Sequence, residues 1–113
     1  MFRVAIVGGE GFGDYPTFER KCINIVKDKA KTEGLLILST GDEFVERFAH
    51  KFGVNVQLFY CDWKTNKKNA LKVRNERMLS NCDAIIMFND RLKDTMMIYN
   101  MAVEMNLPNR KIG

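Results

Sequence analysis

The chain has 113 residues, of which 46% are hydrophobic and 28% charged, and its formal net charge is +4 at pH 7. This composition excludes a disordered chain, and no apolar run approaches the roughly 20 residues of a membrane span. The length predicts a single domain over residues 1–113. Three isolated cysteines without a C-x-x-C spacing predict reduced thiols, and the missing signal-peptide pattern agrees with a cytoplasmic protein. No metal or cofactor site is predicted.

The positive charge is concentrated in residues 64–77. This segment carries six basic residues and one acidic residue, whereas the rest of the chain is close to neutral. A local basic patch is typical of a site for a compact anionic ligand, or of a short nucleic-acid contact. Of these two partners, nucleic acid is the weaker hypothesis.

The first predicted element is a strand that ends in a glycine-rich turn. Val4, Ile6 and Val7 form the strand, and glycines follow at positions 8, 9, 11 and 13, before Pro16. The pattern predicts strand, tight loop and helix, because proline is accepted in a first helical turn. Such a loop lets backbone amides approach a phosphate. The alternative is that the glycines only permit the turn, as in many α/β domains.

Strands and helices then alternate along the chain. Apolar runs predict strands at 35–38, 54–60 and 83–88, with a fifth beginning near 111, and helical periodicity predicts helices at 16–31, 43–52, 69–81 and 95–105. This order predicts an α/β fold, a three-layer Rossmann-like domain with a parallel sheet of four or five strands. Met97, Met101 and Met105 share one face of the last helix, which we assign to the core.

Four loops are predicted to meet at the carboxyl edge of this sheet, where ligands bind in such folds. They are residues 8–14, 39–42, 62–68 and 89–95. Asp14 and Asp42 precede helices, so helix capping is an alternative to ligand binding for both. Trp63 could stack on a nucleobase, although an interior position is the commoner case.

The helix predicted at 69–81 carries the most informative pair. Asn75 falls on the apolar stripe that contains Met78 and Cys82, whereas Arg74 projects about 100° away. An arginine can hold a phosphate, and a buried amide can orient a loop or a base edge. The alternative is a hydrogen-bonded core asparagine on a helix whose other face is solvated.

In the order of the chain, these motifs resemble a known family. A Gly-Gly-x-x-Phe-x-Asp-Tyr loop is followed by Ser39-Thr-Gly-Asp42, Asp62-Trp63, Arg74-Asn-Glu-Arg-Met78 and Asp83-Ala-Ile-Ile-Met-Phe88. Together they resemble the YspA-type branch of the SLOG superfamily, Rossmann-like proteins related to the Lonely-Guy phosphoribohydrolases and to the DprA fold. The resemblance covers essentially the whole chain.

The resemblance implies binding of a nucleotide or a nucleotide-derived small molecule, of the NAD or ADP-ribose kind. It implies a ligand-binding set formed by Gly8, Gly9, Glu10, Phe12, Asp14, Ser39, Gly41, Asp42, Asp62, Trp63, Arg74, Asn75 and Thr95. Related proteins commonly pair through their helices, so a homodimer is expected by analogy.

Two departures from the family pattern bear on catalysis. The serine-containing loop is shortened to Ser39-Thr-Gly-Asp42, and the later glycine loop is replaced by residues 89–95, which contain no glycine. Ile98 stands where the phosphoribohydrolases carry their catalytic glutamate, which favours a binding protein over an enzyme. If the chain hydrolyses or transfers an N-glycosidic bond, Glu10 or Asp14 must supply the carboxylate.

Overall fold

The fold is built on a five-stranded, all-parallel sheet. The computed structural model describes all residues from 1 to 113. The strands are β1 (Phe2–Val7), β2 (Leu35–Ser39), β3 (Asn55–Leu58), β4 (Ala84–Phe88) and β5 (Asn109–Ile112), in the spatial order β3-β2-β1-β4-β5. The chain moves outward from β1 to β3, returns to place β4 on the other side of β1, and then adds β5. The predicted α/β fold is confirmed, and its fifth strand begins two residues before the expected position.

Six α-helices accompany the sheet. They are α1 (Gly9–Phe12), α2 (Tyr15–Glu33), α3 (Glu43–Phe52), α4 (Trp63–Asn66), α5 (Ala70–Ser80) and α6 (Lys93–Glu104), with a 3-10 turn at Lys67–Asn69. Helices α2 and α3 cover one face of the sheet, where Phe18 packs against Phe88 with ring centroids 4.6 Å apart. Helices α5 and α6 cover the other face through Met78, Leu79, Ile98 and Ala102. None of the helices combines the length and apolar character that crossing a membrane requires.

The glycine loop contains a helical turn that the sequence did not predict. Gly8 and Gly13 adopt left-handed conformations, with φ of 82° and 85°, at the two ends of α1. Glycine is the residue that takes such angles without steric cost. The glycines therefore open and close a single turn, α1, between β1 and α2.

Two predicted burial assignments were wrong. Met97 and Met105 are 40% and 39% exposed, because the inner stripe of α6 is formed by Thr95, Ile98 and Ala102 instead. Met101, between them on the same face, is half-buried and packs against the core, so the methionine stripe lies at the border of the core rather than inside it. Trp63 is 57% exposed, so the interior position considered for it is also wrong.

Candidate functional site

A hollow of about 470 Å³ lies at the carboxyl edge of the sheet. It lies where the strand order reverses between β1 and β4, the usual ligand position in this kind of sheet. We call it the switch-point hollow. Its lining comes from the loops after β1, β2 and β4 and from helices α5 and α6. The lining residues are Val7, Gly8, Glu10, Gly11, Thr40, Gly41, Asp42, Arg74, Asp90, Leu92, Asp94, Thr95 and Ile98.

The base of the hollow depends on a close approach of two backbones. A Cβ atom on Gly8 would lie 2.0 Å from the carbonyl oxygen of Phe88 and 3.1 Å from the side chain of Thr95. Only a glycine with positive φ therefore lets the chain leave β1 directly beside the end of β4. The same contact sets the loops after these two strands next to each other.

The carboxylate of Asp42 lies at the glycine loop, where the sequence predicted a phosphate. Its carboxylate caps α3 by accepting hydrogen bonds from the amides of Phe44 and Val45, at 2.9 and 3.3 Å. The same carboxylate also accepts a bond from the amide of Glu10 in α1, at 3.0 Å. This glycine-loop amide is therefore satisfied by the protein itself. The prediction that the loop amides lie open to a phosphate fails for Glu10.

Arg74 is the buried cation of the hollow. Its side chain is 9% exposed, and its Nε donates a 2.7 Å hydrogen bond to Oδ1 of Asn75. None of the ion pairs within 4.0 Å involves its guanidinium. No buried side-chain nitrogen or oxygen lacks a hydrogen-bond partner, so the Nη atoms, which have no protein acceptor, keep some access to solvent at a residue that lines the hollow. The guanidinium can thus make two or more hydrogen bonds to a ligand.

The start of α6 forms the wall beside Arg74. No side chain caps this helix, so its first-turn amides keep their hydrogen-bonding capacity. Asp90 folds back instead, and its carboxylate accepts bonds from the Thr95 hydroxyl at 2.7 Å and from the Leu92 amide at 2.9 Å. The positive end of the α6 dipole therefore adds to the charge of Arg74 in the same hollow.

Acidic side chains line the same hollow. Glu10, Asp42, Asp90 and Asp94 line the hollow together with Arg74. Three of the four carboxylates accept hydrogen bonds: those of Asp42 and Asp90 from backbone and hydroxyl donors, and that of Glu10 from the Glu43 amide at 3.5 Å. No three Asp, Glu, His or Cys side chains are grouped so that they could hold a metal ion. The lining therefore offers one strong donor for a phosphate and several acceptors for hydroxyl groups.

The hollow brings together six of the predicted site residues. They are Gly8, Glu10, Gly41, Asp42, Arg74 and Thr95. Asn75 lies behind Arg74, 1% exposed, and orients it. Ser39 is fully buried, and its hydroxyl accepts a bond from the Gly41 amide at 3.0 Å, which shapes the loop after β2.

Besides Asn75 and Ser39, five further predicted residues do not line the hollow. Gly9 packs against Phe18, where a Cβ would lie 2.5 Å from the ring, and Phe12 packs on Phe88 at 5.3 Å. Asp14 caps α2, and hydrogen bonds from Thr17 lower its pKa. Asp62 caps α4 through the Thr65 amide, and Trp63 follows it on the surface. Capping, the alternative weighed for Asp14 and Asp42, is confirmed for both.

Several lining residues were not among the predicted ones. Asp90, Leu92 and Asp94 lie in the loop after β4 and at the start of α6. The sequence predicted that this loop lies at the carboxyl edge of the sheet, where ligands bind. Its carboxylates could therefore have been predicted as site residues. Val7, Gly11, Thr40 and Ile98 complete the set, and only the fold reveals that they share the hollow.

Comparison with known proteins supports the fold. No protein-family model matches the chain, and no curated protein sequence matches it. Among solved structures, it is similar to the X-ray structure of TM1055, a structural-genomics target, with 17% sequence identity and a TM-score of 0.65. The similarity covers 96% of this chain and 72% of that chain. At this identity the likeness shows a shared Rossmann-like parallel sheet and nothing about activity.

Proposed function

We propose that the chain binds a nucleotide or a nucleotide-derived small molecule in the switch-point hollow. The observation that carries the proposal is the guanidinium of Arg74, buried and without a carboxylate partner, in the lining of the hollow. A buried charge that is not paired within the protein is expensive to desolvate. An anionic group of a ligand would supply the missing partner.

The charge balance of the lining restricts the ligand. One arginine and one helix N-terminus can hold one or two phosphate groups. Glu10 and Asp94 would repel a longer phosphate chain, but they can accept hydrogen bonds from ribose hydroxyls. This combination suits AMP, ADP-ribose or a dinucleotide better than a triphosphate. The volume of about 470 Å³ lies within the usual range for small-molecule sites.

The sequence resemblance to YspA-type SLOG proteins supports the same proposal. It rests on the Asp62-Trp63 step and on the Arg74-Asn-x-x-Met78 helix, and the second of these supplies the buried pair of the hollow. The two arguments meet at Arg74 and Asn75: one uses the sequence motif that contains them, and the other uses their burial and charge. The SLOG assignment remains a proposal.

The test is ligand binding by Arg74→Ala. Calorimetric titration with AMP, ADP-ribose and NAD should detect binding to the wild-type protein by at least one of them. The variant should lose about 1.5–3 kcal/mol of that affinity, as expected for a hydrogen bond to a charged group. Lys72→Ala is the matched control, since Lys72 lies on the same helix but is exposed. Equal affinities for the wild type and Arg74→Ala would refute the proposal.

A second candidate function is hydrolysis or transfer of an N-glycosidic bond. The observation that favours it is the position of Glu10 in the lining of the hollow. The lining at position 98 is apolar, and Asp14 lies outside the hollow, so Glu10 would be the acting carboxylate. Chromatography of the same three compounds after incubation separates the two functions, because a binding protein leaves each compound intact. Glu10→Gln should abolish any cleavage.

A homodimer is proposed on the same resemblance. The outer surface of α6 supports it, because Met97 and Met105, two turns apart on one face, are 40% and 39% exposed. Apolar side chains grouped on an outer helix face suit a self-complementary interface. Light scattering after size exclusion should give twice the monomer mass of 13.1 kDa. Met97→Lys should shift this mass to that of the monomer.

A further inference from the structure

The segment after β3 presents two aromatic rings to solvent. Tyr60 and Trp63 are 64% and 57% exposed. The chain's aromatic pairs and cation–π contacts involve other rings, so both rings remain unstacked. Open aromatic faces are the groups on which unpaired nucleobases stack, whatever the base.

Exposed lysines follow these two aromatic residues in the sequence. Lys64, Lys67, Lys68 and Lys72 are all exposed, and none forms an ion pair. Asp62 is the single acidic residue between positions 60 and 72, and its carboxylate caps α4. We call residues 60–72 the aromatic-lysine segment. Its net positive charge has no partner within the protein.

The neighbouring hollow differs from this segment in the sign of its charge. Arg74, which the sequence grouped with the basic residues, lines the hollow together with four acidic residues. A long polyanion would be repelled from that lining and attracted to the lysines. The segment also holds Lys67 at a φ of 49° and a ψ of −124°, a sparsely populated conformation for a residue other than glycine. Such strain is found preferentially at binding sites.

We propose that the aromatic-lysine segment binds single-stranded nucleic acid. Bases stack on Trp63 and Tyr60, while Lys64, Lys67, Lys68 and Lys72 contact the phosphates. Duplexes bind less well, because their bases are already stacked and only the phosphate contacts remain. This binding is separate from that of the small molecule in the hollow, since it uses none of the hollow's lining residues.

The experiment uses the tryptophan fluorescence of the full chain, in which Trp63 is the only tryptophan. Oligothymidylate and oligouridylate of about 16 nucleotides, close to the length of one single-strand site, should quench this emission at low salt. Four lysine contacts predict a slope of log affinity against log salt of about −3 at most. Labelled oligonucleotides and anisotropy then measure the variants. Trp63→Ala should weaken binding about 5- to 150-fold, and Trp63→Phe should retain most of the affinity.

Matched controls separate this site from the hollow. Lys27→Ala/Lys31→Ala removes two exposed lysines from α2 and should leave oligonucleotide affinity unchanged, whereas Lys64→Ala/Lys67→Ala should lower it. Arg74→Ala should also leave oligonucleotide affinity unchanged. The result of this test is therefore independent of whether the hollow binds the proposed small molecule. Circular dichroism confirms that each variant is folded.

Four results would overturn the inference. The first is an absence of binding at low salt, and the second is an affinity of Trp63→Ala equal to that of the wild type. The third is quenching of the Trp63 emission by AMP in the wild type that is absent in Arg74→Ala, since Trp63 would then lie against a ligand in the hollow instead. Equal affinity for a duplex of the same length would show that the lysines act without base stacking, which also contradicts the proposal.

Discussion

Replacing Gly8 by alanine tests the backbone contact on which the hollow is built. The new Cβ would lie 2.0 Å from the carbonyl oxygen of Phe88, so β4 and the loop after β1 would have to separate by more than 1 Å to reach an ordinary contact of roughly 3.4 Å. Overpacking of this kind costs about 1–3 kcal/mol or more. The left-handed φ of 82° adds about 1–2 kcal/mol for any residue with a Cβ. Gly8→Ala should therefore lower the free energy of unfolding by about 3 kcal/mol or more.

Gly13→Ala is the matched control. Gly13 has nearly the same φ, 85°, but a Cβ there would meet nothing within 4 Å. Its cost should be the conformational term alone, about 1–2 kcal/mol. Urea unfolding followed by circular dichroism measures both variants. Equal losses within about 0.5 kcal/mol, near the limit of such comparisons, would show that the loop does not approach β4 closely, and the hollow would lose its base.

Two further substitutions test the electrostatics of the fold. Asp42→Ala should lower the free energy of unfolding in urea by about 1–3 kcal/mol, because α3 loses its cap and α1 loses a charged acceptor. Asp42→Asn should lower it less, since asparagine also caps helices. Equal losses for the two variants would show that the cap is not important. The pKa of Asp83 in the folded protein is lowered chiefly by a hydrogen bond from the Arg3 amide. The ionised Asp83 carboxylate therefore stabilises the fold fully above its ordinary pKa of 3.8, and this stabilisation is lost as the pH falls through the lower pKa of the folded state. Asp83→Asn should flatten the fall in unfolding free energy below that pH, whereas Asp28→Asn, which changes an exposed carboxylate, should preserve the fall.

The sequence predicted those parts of the fold that local patterns determine. Apolar runs located the strands to within a few residues, and α3 spans the predicted residues 43–52, with Gly53 closing it in a left-handed conformation. The turn α1 escaped prediction because glycine has low helix propensity, and its ends depend on two left-handed glycines. The orientation of α6 was not predicted either, because Met101 and Ala102 belong to two different stripes of this helix that are similarly hydrophobic. Only contact with the sheet decides which stripe faces inward.

The site was predictable to the extent that it depends on single residues. Arg74 and Asn75 stood out as an arginine beside an amide on an apolar stripe, and both are buried side by side. The bond between Asp42 and the Glu10 amide joins residues 32 positions apart, and it requires the pairing of β1 with β2. No local pattern encodes such a contact. Capping of α3 was visible in the sequence, but the second role of the same carboxylate was not.

That second role changes where an anion can lie, if the hollow binds a nucleotide-derived ligand as proposed. A phosphate at the Glu10 amide would meet the carboxylate of Asp42, which already accepts this bond at 3.0 Å, and two anions at such a distance repel. The phosphate must therefore lie on the opposite side, between Arg74 and the uncapped start of α6. The hydroxyl groups of the ligand then face Glu10 and Asp42, the acceptors on the loops after β1 and β2. We infer that Arg74 and the start of α6, rather than the Glu10 amide, hold the anion in this hollow.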